Sequence, residues 1–435
     1  MKKFIDTIRN IFSIEELRTR ILNTIGFLII FRLGSFVVLP GVDASQLTGQ
    51  ASGIFGLLDT FLGGAFSNAS VFALGIMPYI SASIVLQLMT VAVPYFQKLQ
   101  KEGDSGRKKI AQLTRVLTIA ICMAQGFSYV SAAIEPGAIL SDTFFWKFTS
   151  VVILTSGTIF CMWLGEKITD KGIGNGISML IMIGIISRFP GSIAAEMITR
   201  GMSEALIFIL EIVALFFVVL VTVALVQAVR RVPVQYAKQV VGNQVYGGQR
   251  QYIPLKVNAS GVMPIIFAQS IMFLPAMLAG LWRENSDLAN SISTTFSDFT
   301  SWQYNLTFAI MIIVFTFFYT AITINPTQIA DDMKRNGGFV PGIKPGKDTG
   351  EFLDQILSKI TLPGAIFLAI IAILPAFAMI AGINQGFAQF YGGTSLLIMV
   401  GVILDTLQQI ESYLLMRHYE GMMKSGKIKG RTQAA

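Results

Sequence analysis

The sequence predicts an all-α membrane protein with ten transmembrane helices. Three observations carry this. Of 435 residues, 53% are hydrophobic and only 13% charged, where a soluble chain uses roughly a quarter charged residues to cover its surface. The mean hydropathy is +0.64. Ten apolar segments approach or exceed the length of about 20 residues that a spanning helix needs. They run over 21–39, 68–93, 113–134, 148–165, 173–189, 204–229, 258–282, 304–325, 357–382 and 394–415.

The connections between these segments fix an orientation. With the N-terminus inside, the inner pieces are 1–20, 94–112, 166–172, 230–257, 326–356 and 416–435, and they hold 26 Lys and Arg. The outer pieces hold Lys147, Arg188, Arg200 and Arg283. Basic residues concentrate in cytoplasmic loops, so both termini are expected in the cytoplasm. The net charge of +8 therefore marks topology first, and no nucleic-acid footprint is needed to explain it. Met1–Arg20 is basic and amphipathic, with no small-residue cleavage site after it.

Taken in order, the segments differ. Ahead of the second lies Leu57–Phe66, long enough for a helix of about 15 Å, half a bilayer. Gly63-Gly64 and Ser67-Asn68 break it. A broken helix at membrane depth survives only inside protein or against a watery cavity. The segment is thus either a half-helix facing an outer cavity or an interfacial loop. The second segment has no charge but carries Pro78, Ser81, Ser83, Gln87 and Thr90. Hydrogen bonds between helices explain such residues as well as a pore does.

Ionisable residues well inside the segments, away from their ends, include Arg32, Glu211 and Asp405. Charge inside a span defaults to a functional role, though three scattered groups are too few for a proton relay. Pairing with partners, or a place near the interface, accounts for them equally.

The inner loops 230–257 and 326–356 are much longer than a structural connection requires. Val232-Pro233 and Ile253-Pro254 in the first, and Val340-Pro341-Gly342 and Lys344-Pro345-Gly346 in the second, are turn signals. Both are expected to be ordered, hairpin-like protrusions that carry function, the alternative being disordered tethers.

Several chemistries are excluded. Cys122 and Cys161 lie in apolar runs and read as buried thiols, and His418 is the single histidine. Three such residues do not make a structural zinc site, which takes about four ligands. Gly421–Ile428 nearly matches a phosphate-binding loop but ends in Ile428 where Ser or Thr should hold magnesium. Gly172-Ile173-Gly174-Asn175-Gly176 lacks the third glycine spacing and a preceding strand. No nucleophile–base set stands out, so neither enzymatic activity nor a cofactor or metal is expected.

Five longer words then become informative. They are Phe72–Ile84 (FALGIMPYISASI), Trp163–Asp170 with Gly172–Ser178 (WLGEKITD, GIGNGIS), Pro254–Asn258 (PLKVN), Phe339–Ile343 (FVPGI) and Gly392–Ile398 (GGTSLLI). In these the chain resembles the SecY family, the channel-forming subunit of bacterial protein translocase, along essentially its whole length. The resemblance implies ten transmembrane helices in two inverted five-helix halves around a central pore. An odd number of helices per half requires opposite topology, consistent with the loop charges. The divisions would be a cytoplasmic amphipathic segment 1–20, an N-terminal half 21–189, a C-terminal half 204–415 and a cytoplasmic tail 416–435.

The family pattern implies a constriction ring of Ile76, Ile80, Ile181, Ile266 and Ile398. Branched aliphatic side chains dewet a constriction and block ions, yet deform around an extended polypeptide. It implies that 57–66 is a plug, with Leu57, Leu58, Phe61, Leu62, Gly63 and Gly64 in it. A lateral gate would lie between span 2, at Ser81 and Gln87, and span 7, at Asn258 and Leu274. Arg230, Arg231, Lys238, Arg250, Lys256 and Lys344 would dock the SecA motor ATPase or the ribosome. Lys344 stands where the family often has Arg, and the two differ in fork geometry. Asn243 and Gln244 replace a frequent basic pair. Implied partners are SecE-like and SecG-like membrane subunits, SecA, the ribosome, preprotein signal sequences and membrane lipid, in the bacterial cytoplasmic membrane. The function expected is transport of unfolded preproteins and lateral release of apolar segments. A secondary solute transporter shares broken helices and inverted repeats, but would need a polar midplane site.

Overall fold

A computed structural model describes residues 12–47, 59, 61–132, 134, 136–140, 143–201, 204–236, 239–241, 244–246, 250–281, 295, 298 and 300–424. Each of the ten apolar segments forms a helix, with shifted boundaries. Among the described residues, seven helices are long and apolar enough to cross a membrane, or eight if one bent pair is a single span. The chain divides into two compact units, residues 1–191 with 401–435, and residues 192–400.

The first unit starts with α1 (Glu15–Gly34), whose N-terminal turn carries Glu15 and Glu16, favourable at the positive end of a helix dipole. The second apolar segment departs from expectation. Its first residues, 71–76, are turns, and α2 (Met77–Ala92) begins only where Pro78 occupies an early helical position. Ala69 sits at φ 44, a left-handed conformation that no helix passes through. Proline also ends α2: α3 (Pro94–Lys101) follows Val93 at an angle of 102°. Then come α4 (Asp104–Ala132), α5 (Phe144–Lys171) and α6 (Gly176–Arg200). Leu39, Leu74, Cys122, Tyr129, Val130, Val151 and Leu154 form a buried core here. Both cysteines are free and buried.

The second unit contains α7 (Ala205–Gln227), the most apolar helix. The loop after it is a β-hairpin, as its turn signals predict. β1 (Val229–Tyr236) is followed by a small ribbon of β2 (Gln239–Val241) and β3 (Gln244–Tyr246), then by β4 (Arg250–Lys256). β1 and β4 pair antiparallel from Val229↔Lys256 to Gln235↔Arg250. Next are α8 (Met263–Leu281), with a short apolar stretch Met263–Met272, and α9 (Trp302–Thr323).

The second long loop is mostly helical. Asn325 caps α10 (Pro326–Arg335) by accepting from Gln328 N, and Pro326 fits the first turn, where its missing N–H costs nothing. β5 (Gly338–Phe339) adds to the free edge of β1. α11 (Lys347–Ile380) starts ten residues earlier than the apolar segment suggests. Val232, Val234 and Leu255 from the hairpin pack with Met333, Val340, Leu353 and Leu357, so the hairpin and α10–α11 share one apolar base. α12 (Gly393–Lys424) closes the described chain.

Candidate functional site

The segment preceding α2 is where polar and apolar features converge. Asp59 and Phe61 are helical, and the chain turns at Gly63 (φ 62) and Gly64 (φ 94). Those left-handed conformations suit glycine, which has no Cβ to clash. Leu57, Leu58 and Thr60 lie outside the described residues.

Two arginines from separate helices grip the turn. Arg32 of α1 donates to the Gly63 carbonyl at 2.9 Å and lies over the Phe36 ring at 5.1 Å. Arg188 of α6 pairs with the Asp59 carboxylate and donates to Ser67 Oγ at 2.9 Å. Asp59 in turn accepts from the Ser67 backbone N–H at 2.9 Å and the Ser67 hydroxyl at 2.6 Å. The Gly64 N–H donates to the Asp59 carbonyl at 3.0 Å. The turn is therefore closed on itself and fastened to α6 by the same carboxylate. Backbone approach is close: a Cβ on Gly63 would stand 2.6 Å from Arg32 Nη1 and 2.8 Å from Ser187 Oγ.

The apolar side of this segment faces a small, narrow pocket. Phe61 and Leu62 line it with Phe31, Ile76, Ile80 and Ile181, joined by Met77 and Leu180. Three of the five isoleucines singled out in the sequence thus meet two residues of the broken segment. The lining side chains are apolar, with no charged or hydrogen-bonding group among them. Ile266 on α8 and Ile398 on α12 are buried in the second unit.

The other candidates are placed as follows. Ser81 donates to the Met77 carbonyl at 3.1 Å and Gln87 to Ser83 Oγ at 3.4 Å, both within α2. Asn258 is buried and accepts from Ser260 at 3.3 Å. Leu274 lies in α8. Arg230 and Arg231 are exposed on β1, as is Lys256 at the end of β4. Arg250 opens β4, and Gln244 opens β3. Lys344 is exposed in the turn before α11, its carbonyl accepting from Thr349. Lys238 and Asn243 lie outside the described residues.

Of Arg32, Glu211 and Asp405, the first two have hydrogen-bonded partners. Arg32 serves the turn described above. Glu211 accepts from Arg200 at 2.7 Å, and Arg200 also donates to Glu196 at 3.1 Å, to Glu204 at 3.0 Å and to the Gly382 carbonyl at 2.8 Å. Glu196 accepts in addition from the Asn384 N–H at 2.9 Å. Asp405 is exposed. Asp59, Ser67, Gly184 and Arg188 receive no role in a site from the sequence. A signal was present: Asp59 is the only acidic residue between 44 and 101, and Arg188 the only charged residue between 172 and 195.

With this geometry in place, comparison with known proteins is direct. The family model described as SecY matches residues 70–407. The protein translocase subunit SecY of Streptomyces scabiei is 43% identical over 432 residues, covering 95% of this chain and 98% of that protein. The corresponding protein of Mycobacterium tuberculosis is 40% identical, covering 98% of this chain and 100% of that one. A solved structure of a protein-conducting channel superposes with a TM-score of 0.65 at 16% identity, covering 91% of this chain and 92% of that one. Another, in which the SecY plug domain stabilises the closed state and maintains a membrane seal, gives 0.64 at 17% identity over the same shares.

Proposed function

This chain belongs to the SecY family, and from that premise we propose that it is the central, non-enzymatic subunit of a Sec protein-conducting channel in a bacterial cytoplasmic membrane. It passes unfolded preproteins across the membrane and releases apolar segments sideways into lipid. The observation that carries this reading is the shared pocket of Phe61 and Leu62 with Ile76, Ile80 and Ile181. A collar of aliphatic side chains excludes water and ions by dewetting, and a movable segment seated against it adds a second seal. A solute transporter would need convergent polar groups at the same place, and this lining has none.

In this reading Ile76, Ile80, Ile181, Ile266 and Ile398 form the constriction, and 57–66 is the plug. The halves are 21–189 and 204–415, with both termini cytoplasmic. Ser81 and Gln87 face a lateral seam with Asn258 and Leu274. The partners are SecE-like and SecG-like membrane subunits, with SecA and the ribosome docking on the hairpin and on the turn at Lys344. The exposure of Arg230, Arg231, Lys256 and Lys344 supports the last assignment, because phosphate or carboxylate partners require accessible cations.

The test is reconstitution of the full chain, with whatever small membrane subunits copurify, into proteoliposomes with SecA, ATP and a preprotein. Translocation into the lumen is expected. Deleting 57–66 should raise ion conductance, and oxidising a Ser81→Cys, Leu274→Cys pair should block transport. Preprotein left outside by a correctly inserted complex would refute the reading.

A further inference from the structure

We propose that Asp59 and Arg188 form an electrostatic latch that keeps the 59–67 segment seated. The inference rests on the plug reading above and adds what holds the plug in place.

Apolar contact alone does not fix a position. Phe61 and Leu62 gain by leaving water, but hydrophobic burial is non-directional, so a sliding or rotated segment would keep much of it. The ion pair differs, because it is met in one register. Both oxygens of Asp59 are engaged: Oδ1 by the Ser67 N–H, Oδ2 by the Ser67 hydroxyl and by Arg188. Arg188 also donates to Ser67 Oγ, so three groups close a ring. Gly64 admits the guanidinium at close range, since a Cβ there would stand 3.0–3.2 Å from its atoms. Arg32 holds the neighbouring residue, Gly63, but through a carbonyl oxygen. Arg188 alone of the two meets a carboxylate.

The surroundings make the latch reversible. The Asp59 side chain is 8% exposed and that of Arg188 36%. Fully exposed pairs are worth little, and fully buried pairs leave a costly orphan when broken. This pair lies between: seated, it is shielded on the carboxylate side; unseated, both charges regain water. An intermediate hold suits a segment that must stay closed at rest and leave when a polypeptide enters.

The test uses the full chain with its copurifying membrane subunits in proteoliposomes. Ion conductance is measured, together with the rate at which a membrane-impermeant thiol reagent modifies a Phe61→Cys reporter. Native Cys122 and Cys161 are buried and give little background. Asp59→Asn and Arg188→Gln should each raise both readouts about tenfold, the factor that about 1.4 kcal/mol in the closed–open equilibrium produces. Arg188→Lys, which keeps the charge, should raise them less than threefold. Asp59→Lys and Arg188→Glu should each leak, and the two combined should return towards the parent. If Asp59→Asn stays within twofold of the parent while deletion of 57–66 leaks, the latch is wrong and the plug stands. If the deletion itself does not leak, the plug reading falls first. Equal effects of Arg188→Lys and Arg188→Gln would make shape, not charge, the cause and also overturn the latch. So would a swapped pair that leaks as much as either single reversal.

Discussion

Gly184 on α6 passes so close to the Phe61 carbonyl that a Cβ at position 184 would collide with that oxygen. The obstacle is backbone, which cannot rotate away as a flexible side chain can. Overpacking of this kind typically costs about 1–3 kcal/mol, and here the apposed backbone belongs to the 59–67 turn. Gly184→Ala is therefore expected to lift the turn while leaving α6 intact. A rise in ion conductance of the reconstituted channel, with unchanged helical content by circular dichroism, is the expected result.

The pocket against which that turn rests depends on being apolar. Ile181→Asn should let water in and raise ion leak, because an amide offers hydrogen bonds where the aliphatic lining offers none. Ile181→Val keeps the chemistry and removes one methylene, at a typical cost of about 0.5–1.5 kcal/mol. Single-channel recordings should separate the two variants clearly, with the valine channel close to the parent.

The Arg200 cluster makes a prediction about stability. Glu196 and Glu211 side chains are 1% and 7% exposed and share this one guanidinium. Arg200→Ala leaves both carboxylates without it, and orphaning a buried charge costs about 3 kcal/mol or more. Thermal unfolding in detergent should shift down markedly. Arg200→Lys should recover only part, since an ammonium lacks the fork that reaches Glu196, Glu204, Glu211 and the Gly382 carbonyl together.

The hairpin is mounted on side chains that can be removed. Leu353 is 1% exposed in the core beneath β1 and β4. Leu353→Ala should destabilise that base by about 2–5 kcal/mol. Limited proteolysis should then cut within 229–256 at lower protease concentration than in the parent.

At the adjoining turn, Lys344 presents an exposed charge. Lys344→Glu should weaken motor-driven translocation two- to fivefold, roughly the effect of 0.5–1 kcal/mol at a solvent-exposed contact. The ATPase rate of SecA with subsaturating channel measures it, and an unchanged rate would remove Lys344 from the docking surface.

How much of this was legible in the sequence varied with the range of the interaction. The ten apolar segments are local, and all became helices. The start of α2 was misplaced because Ala69 and the turns around it are shaped by what they pack against, which composition does not record. The helices of 326–356 replace the expected hairpin, and their local signal is Asn325-Pro326, a cap followed by a first-turn proline. The hairpin was visible in its turn residues. Ile76, Ile80 and Ile181 entered through family words and not through periodicity, because an isoleucine in an apolar helix is ordinary. The Asp59–Arg188 pair spans 129 residues, and no local pattern announces it. Its trace in the sequence was isolation: one acid and one base, each alone in a long uncharged stretch.

The shared base of β1, β4 and α11 has a mechanical meaning. α11 is 34 residues long, about 50 Å at helical rise, and its far end runs into Gly382, which is tied to Arg200. Pro363 and Pro375 lie inside it, and each removes one backbone hydrogen bond from the rod. A load applied to the hairpin enters this rod at one end and is delivered to the Arg200 anchorage at the other. Whatever grips the protrusion thus holds one end of a rod whose other end is tied to Arg200.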